Sequence, residues 1–254
     1  VWLIDVWHGY HSKSSPKGQP YQRRSQQLMD TAAWCIPVTK LAHSYSALKQ
    51  FDNCPKQYHM QRITKEVKPS FGEAALHGQR VHEELEAALK GEGVSEQVVK
   101  YQPLLDAFTS LPGEVLAEQE MCLNDKLEPT GWWDKDAWLR SKIDVLVLNG
   151  PDAVVADWKT GKHRPDFFQM ELFALQVFKH YPDVQKVKTS LVWLKDMMMD
   201  TEVYSRADAP DLWNKFYTKI HRIEAALETS VWPVKPSGLC PWCPAKHLCE
   251  FARI

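Results

Sequence analysis

Three segments in the middle of the chain carry the residue pattern of strands. EVLAEQEMCL (114–123), WLRSKIDVLVL (138–148) and DAVVADWK (152–159) are rich in strand formers, and Asn149, Gly150 and Pro151 supply a turn between the last two. Helical spacing dominates on either side. Ser44 or Ser46 can cap a short helix through SYSALKQFDNC, with Pro55 just beyond its end. EAALHGQRVHEELEAALK (73–90) places apolar residues on one helical face, and a further helix is expected over 95–110. Asp166 can cap a helix through FFQMELFALQVFKHY that must end before Pro182. Two strands (TSLVWLK and TEVYS), a helix over 208–229, and a compact cysteine-bearing loop with a short helical end complete the pattern. This order predicts an α/β domain over 40–254, with helices flanking a central mixed sheet. Residues 1–39 are polar, with Pro, Gly and Ser but no sustained period, and are expected to be a basic, flexible extension.

Composition narrows the class without naming a function. A chain of 254 residues, 44% hydrophobic and 25% charged, is not disordered, collagen-like or a disulfide miniprotein. No apolar run approaches the ~20 residues of a membrane span, no secretory leader is evident, and the missing initiator Met suggests a fragment or a trimmed chain. The net charge of −1 at first argues against a nucleic-acid partner. Its distribution does not. Residues 1–68 hold ten Lys or Arg against four acids, residues 69–128 four against twelve, and the remainder seventeen against sixteen. A basic front and an acidic middle exclude only a polycation that binds by bulk charge.

Candidate chemistry lies on the central strands. Asp144 interrupts the apolar run KIDVLVL; Asp157 and Lys159, two apart in VVADWK, share a strand face. Charge inside a buried strand is costly unless paired or metal-bound, and two acids brought together raise each other's pKa unless a cation intervenes. Mg²⁺ or Mn²⁺ suits such oxygen ligands, and Lys159 beside it could orient or deprotonate a water. His82, four residues after Gly78, could add a ligand from its helix, and Gln169 could position water or phosphate. Each residue alone has an ordinary explanation: a surface Asp-x-Lys pair, a packing histidine, a solvated glutamine. The ordered set on alternating helix and strand is much harder to produce by accident.

GQRVHEELE, KIDVLVL, VVADWKTGK and QMELFAL, in that order, resemble the RecB-like branch of the PD-(D/E)XK nuclease superfamily over roughly 44–252. The resemblance implies a restriction-endonuclease-like core and metal-dependent cleavage of DNA. It makes His82, Asp144, Asp157 and the Trp158 carbonyl metal ligands, and Lys159 the catalytic lysine. Gln169 would open the family's Gln-x-x-x-Tyr motif, although Phe173 stands at the Tyr position and removes its hydroxyl. An acid before the Asp strand is common in the family; Glu118 and Glu120 both match and share a regular strand face.

The cysteines extend the likeness. Cys240, Cys243 and Cys249 form C-x2-C-x5-C, and Cys54 lies far upstream; spacing alone fits a structural Zn²⁺, with His247 as a competing ligand, or an iron–sulfur cluster. A cysteine before the core with this group (within 236–252) after it resembles the 4Fe-4S clasp of the CRISPR-associated RecB-like nucleases and of AddB. That likeness makes Cys54, Cys240, Cys243 and Cys249 the ligands, tying the first helix to the tail. Thiolate ligation implies a reducing cytoplasm, that of a bacterium or a phage-infected cell. Cys35 and Cys122 are left over, Cys122 as ordinary core.

Arg140, Lys142, Lys162 and Arg164 are candidates for phosphate contact, with His163 in the same loop. Trp132, Trp133 and Trp158 are candidates for stacking on unpaired bases, the adjacent pair first among them. The reading is a metal-dependent DNA exonuclease acting on single strands or DNA ends in recombination, repair or phage DNA processing, with a recombination, helicase or phage replication partner. The rivals are a structure-specific endonuclease, a non-catalytic DNA-binding subunit built on a nuclease scaffold, and a zinc-stapled interaction domain.

Overall fold

Strand formers bounded by turn residues, and helices bounded by caps, give an order of elements close to the one expected. The computed structural model describes residues 41–252, so the basic extension 1–39 and Cys35 lie outside the described residues. Helix α1 (Tyr45–Asn53) begins where Ser44 Oγ accepts the Ala47 amide at 3.3 Å. A short helix α2 (Pro55–Tyr58), continued by a π turn (His59–Ile63), follows Cys54. Helix α3 covers Glu73–Leu89. The helix expected over 95–110 divides into a 3-10 turn (Val99–Tyr101) and α4 (Gln102–Thr109), because Pro103 has no N–H to donate and is tolerated only in a first turn.

Strands β1 (Glu114–Leu123), β2 (Leu139–Asn149) and β3 (Asp152–Lys159) then form an antiparallel meander, with Gly150 at φ +57° in the tight β2–β3 turn. Helix α5 (Phe168–His180) crosses from β3 to a parallel neighbour, β4 (Lys186–Trp193), and β5 (Met198–Ser205) closes the sheet antiparallel to it. The sheet is therefore five-stranded and mixed, in the order β1-β2-β3-β4-β5. Helix α6 (Ala209–Thr229) precedes a tail of three 3-10 turns, matching the expected loop with a helical end. No helix among the described residues is long and apolar enough to cross a membrane.

Two cores enclose the sheet. One joins α1, α5 and α6 to residues such as Leu139, Ile143, Leu146 and Val155. The other joins α3 and α4 to Val145, Val147, Val154 and Trp158. Helix α5 is buried along nearly its whole length, from Met170 to Phe178 apart from Glu171, as a crossover beneath other helices must be. Phe173, at the family's Tyr position, is 2% exposed and packs as core without need of a hydroxyl. Cys122 is likewise buried.

The facing of β1 and β2 is not regular. Leu139 and Ile143 join the α5 core, but Val145 and Val147 join the α3 core and Leu146 returns to the first. Across the ladder, Met121 and Leu123 face α5, whereas Leu116 takes that side farther up and Val115 the other. Both strands thus reverse their alternation at one level, that of Glu118 and Asp144, while the register of Ala117 with Val145 and Gln119 with Ile143 is kept. Glu118 makes the reversal with φ +52°, a left-handed conformation that costs a non-glycine residue on the order of 1 kcal/mol.

Candidate metal-dependent active site

The reversal coincides with a fork in the sheet. Pairing of β2 with β3 runs from Asn149–Asp152 to Val145–Ala156 and stops there, whereas β3 stays paired with β4 through Lys159. Where the ladder ends, the Asp144 side chain takes over: its Oδ2 accepts the Trp158 amide at 2.8 Å. Trp158 is 2% exposed and meets Phe108 edge-on at 5.5 Å, so it anchors this end of β3 to the α4 side. Its neighbours Asp157 and Lys159 consequently point the other way, toward α5.

Gln169, in the first turn of α5, meets them both. Its Nε2 donates to Asp157 Oδ1 at 2.6 Å and its Oε1 accepts from Lys159 Nζ at 2.7 Å. Lys159 Nζ also lies 2.5 Å from Asp157 Oδ2 as an ion pair, but that buried oxygen takes no hydrogen bond of good geometry. On the α3 side, His82 Nδ1 lies 3.2 Å from Asp144 Oδ2. One ligand atom each from His82, Glu118 and Asp144 fall within 4.8 Å of one another. These three line a pocket of about 460 Å³ with Gln79, Glu83, Glu86, Lys142 and Thr160. Helix α3 approaches closely enough because Gly78 faces Thr160: a Cβ there would stand 2.8 Å from Thr160 Oγ1.

The charges are incompletely balanced. Burial, together with the Asp144 carboxylate, pushes Asp157 up to about 6 against the pull of Lys159 and His82. Burial also raises Glu118, although Lys142 pairs with it and opposes the rise. Burial alone would lower His82, yet the carboxylates of Asp144, Asp157 and Glu118 hold it above its ordinary value. Each of these shifts signals a deficit of positive charge, and a divalent cation would reverse each one. The buried Asp157 oxygen, which takes no well-aligned hydrogen bond, and the three convergent donors fit such an ion.

The expected site residues are therefore brought together in two linked sets: His82, Asp144 and Glu118 on one side of the fork, and Asp157, Lys159 and Gln169 on the other. Of Glu118 and Glu120, expected to share a face, Glu118 lines the pocket and pairs with Lys142, whereas Glu120, the ladder partner of Lys142, is exposed. Several expected DNA contacts have other partners. Lys142 is paired with Glu118 because it stands one ladder step from it. Arg140 is held over the Trp132 and Trp133 rings at 5.5 and 5.6 Å. His163 is tied to Asp200 at 2.7 Å and edge-on to Trp193. Trp158 is too deeply buried to stack on a base. Lys162 and Arg164 remain exposed, with no ion pair among the described residues. Asp166 does accept the Phe168 amide at 3.3 Å, but its other oxygen takes Tyr45 Oη at 2.8 Å and Lys49 Nζ at 2.9 Å, joining α1 to α5. Thr160, which also lines the pocket, carries no signal in the sequence beyond its place between Lys159 and Gly161.

The four cysteines of the expected clasp line a second pocket, of about 480 Å³, between the end of α1 and the tail. Ser237 N donates to Cys240 Sγ at 3.2 Å, and burial raises the Cys243 thiol, as do Cys54, Cys240 and Cys249 around it. Trp232 joins the same two chain segments. It stacks on Tyr58 at 6.2 Å, lies 4.7 Å from the His59 ring and meets Phe51 edge-on at 6.3 Å.

A sequence profile of the PD-(D/E)XK nuclease superfamily matches residues 42–250. No curated protein matches the chain significantly. Similar solved structures include the protein SSO0001, at 13% identity over 89% of this chain and 94% of that one, with a TM-score of 0.46. A candidate exonuclease from Eubacterium rectale has 13% identity over 94% and 93%, with a TM-score of 0.46. LHK-Exo, solved in complex with dAMP, has 16% identity over 76% and 90%, with a TM-score of 0.41.

Proposed function

Because this chain belongs to the PD-(D/E)XK nuclease superfamily, we propose that it is a divalent-metal-dependent deoxyribonuclease, acting as an exonuclease on single strands or DNA ends. The observation that carries the reading is the convergence of His82, Glu118 and Asp144 beside the Asp157–Lys159–Gln169 set. The exonucleolytic preference rests on the RecB-like order of motifs. His82, Glu118, Asp144 and Asp157, with the Trp158 carbonyl, would hold Mg²⁺ or Mn²⁺. When bound, that ion supplies charge neutralisation at the scissile phosphate and acidifies water. The chain's own residues do the rest. Gln169 locks the Lys159 ammonium against Asp157, so that a proton donor or water-orienting group sits at a fixed point beside the carboxylates. Lys142 pairs with Glu118 and favours its charged form against burial, and Asp144 ties β3 to β2 at the fork by accepting the Trp158 amide.

The test is Mg²⁺- or Mn²⁺-dependent degradation of end-labelled DNA. Asp144→Asn and Lys159→Ala should lose at least about 10²-fold in rate, and Glu118→Gln should raise the metal concentration needed while Glu120→Gln does not. Full activity in Asp144→Asn and Lys159→Ala would remove the site. Cleavage of circular single strands would turn the reading to an endonuclease, and binding without cleavage under any divalent ion to a non-catalytic subunit.

We read the cysteine pocket as a 4Fe-4S rather than a Zn²⁺ site on the resemblance of Cys54 with the C-x2-C-x5-C group, and all four cysteines line it. Iron and sulfide in an anaerobic preparation, with absorbance near ~400 nm, support it; stoichiometric zinc without iron overturns it.

A further inference from the structure

Trp133 is 83% exposed, the most exposed large hydrophobic side chain among the described residues. An indole left in water on a loose loop would mean little, but this loop is tied. Asp134 accepts Thr130 Oγ1 at 2.8 Å and the Gly131 amide at 2.7 Å, and Ala137 N closes back on Asp134 O at 3.1 Å. The seat beneath the indole is Arg140. Its guanidinium lies 5.5 Å from the Trp132 ring and 5.6 Å from the Trp133 ring, and its Nε is buried with no hydrogen bond. The cation is thus committed to aromatic faces rather than to a carboxylate.

The place of this seat matters more than its make-up. Leu139 and Ile143 face the α5 core, so Arg140 and Lys142 project to the opposite side of β2. Lys142 lines the proposed metal pocket. Arg140 is the next residue on that side, and four residues of strand, about 13 Å, separate it from Asp144. Indole, guanidinium, ammonium and metal-binding carboxylates therefore form one continuous row.

We infer that Trp133, seated on Arg140, is a stacking platform for one unpaired base of a DNA single strand whose scissile phosphate lies at the pocket. The inference rests on the nuclease reading for the direction of the strand, but not for the stacking itself. An exposed, preordered indole offers a face to any base at little entropic cost. A paired base is closed to it, because its faces are already covered within the duplex.

The experiment uses the full chain, anaerobically prepared, with a chelator to prevent cleavage. Binding of a short single-stranded oligonucleotide and of its blunt duplex is measured for the wild type, Trp133→Ala and Trp133→Phe. Trp133→Ala should weaken single-strand binding about tenfold, Trp133→Phe should restore most of it, and duplex binding should not change. Thermal stability and hydrolysis of a small phosphodiester too short to reach the platform should be the same in all three. Unchanged single-strand binding by Trp133→Ala, an equal loss for duplex, or a shift in oligomeric state as the main effect would each overturn the inference. The two readings separate cleanly. A wild type that binds single strands through Trp133 but cuts no DNA refutes the nuclease and keeps the platform; active cleavage with Trp133→Ala binding normally does the reverse.

Discussion

Replacing Gln169 with Leu removes two hydrogen bonds at once while keeping much of the side-chain volume. Its partners respond differently. Lys159 has a side chain 28% exposed and retains its ion pair with Asp157, so water can compensate it. The Asp157 side chain is 5% exposed, and its Oδ2 already lacks an aligned hydrogen bond, so losing the Gln169 donor strands Oδ1 as well. An unmet buried acceptor costs about 1–3 kcal/mol, and a charged one lies toward the upper end. The added apolar contact of Leu returns about 1 kcal/mol. The net destabilisation is then about 1–2 kcal/mol, roughly 2–8 °C in melting temperature for a domain of this size. The larger effect should be on rate, because Lys159 loses the acceptor that fixes its position and a displacement of about 1 Å can cost 10²-fold. We expect kcat on single-stranded DNA to fall about 10²-fold with KM little changed. Gln169→Glu provides the control: it keeps an acceptor for Lys159 but sets a second carboxylate against Asp157, and should be at least as impaired at neutral pH. A Gln169→Leu enzyme with wild-type kcat would refute the argument that this amide positions the lysine, whatever its melting temperature.

Two further outcomes follow from the framework around the site. His43 is 4% exposed with its Nδ1 unpartnered, and burial lowers it to about 4. Its stabilising contribution is complete above the ordinary value of 6.5 and is lost as pH falls toward 4, about 3 kcal/mol in all. Asp157, raised to about 6, binds its proton in the folded state and titrates in the opposite sense over the same range. The readout is therefore the difference in denaturation between the wild type and His43→Phe at pH 7.5 and pH 4.5, and an identical pH dependence in both would reject the assignment. Trp232→Ala should cost about 2 kcal/mol, less than the 3–5 kcal/mol of a fully buried Trp because the ring is only half-buried. It should also open the tail after residue 232 to limited proteolysis; unchanged stability and cleavage would show that the cysteine pocket alone holds the tail.

The chain's pattern determined much by itself. Element order followed from local signals, such as the Ser44 cap, the turn at Gly150 and the apolar length of α5, because those preferences act within a few residues. Asp144, Asp157, Lys159, His82 and Gln169 were legible as one chemistry because their side-chain types and order are costly to assemble without a use. Tertiary structure decided what rests on departures from regular geometry or on distant partners. Only the fold shows that Glu118 lines the pocket while Glu120 is exposed, and a period of two cannot anticipate a strand that reverses its facing. Only packing across more than a hundred residues shows Trp232 between Tyr58 and His59. The fold alone shows that Lys142, legible as a phosphate contact, pairs with Glu118, and that Arg140 lies over the Trp132 and Trp133 rings. Local sequence fixes which groups can be charged or apolar, but the balance of burial and pairing that gives each its role exists only once the strands have met.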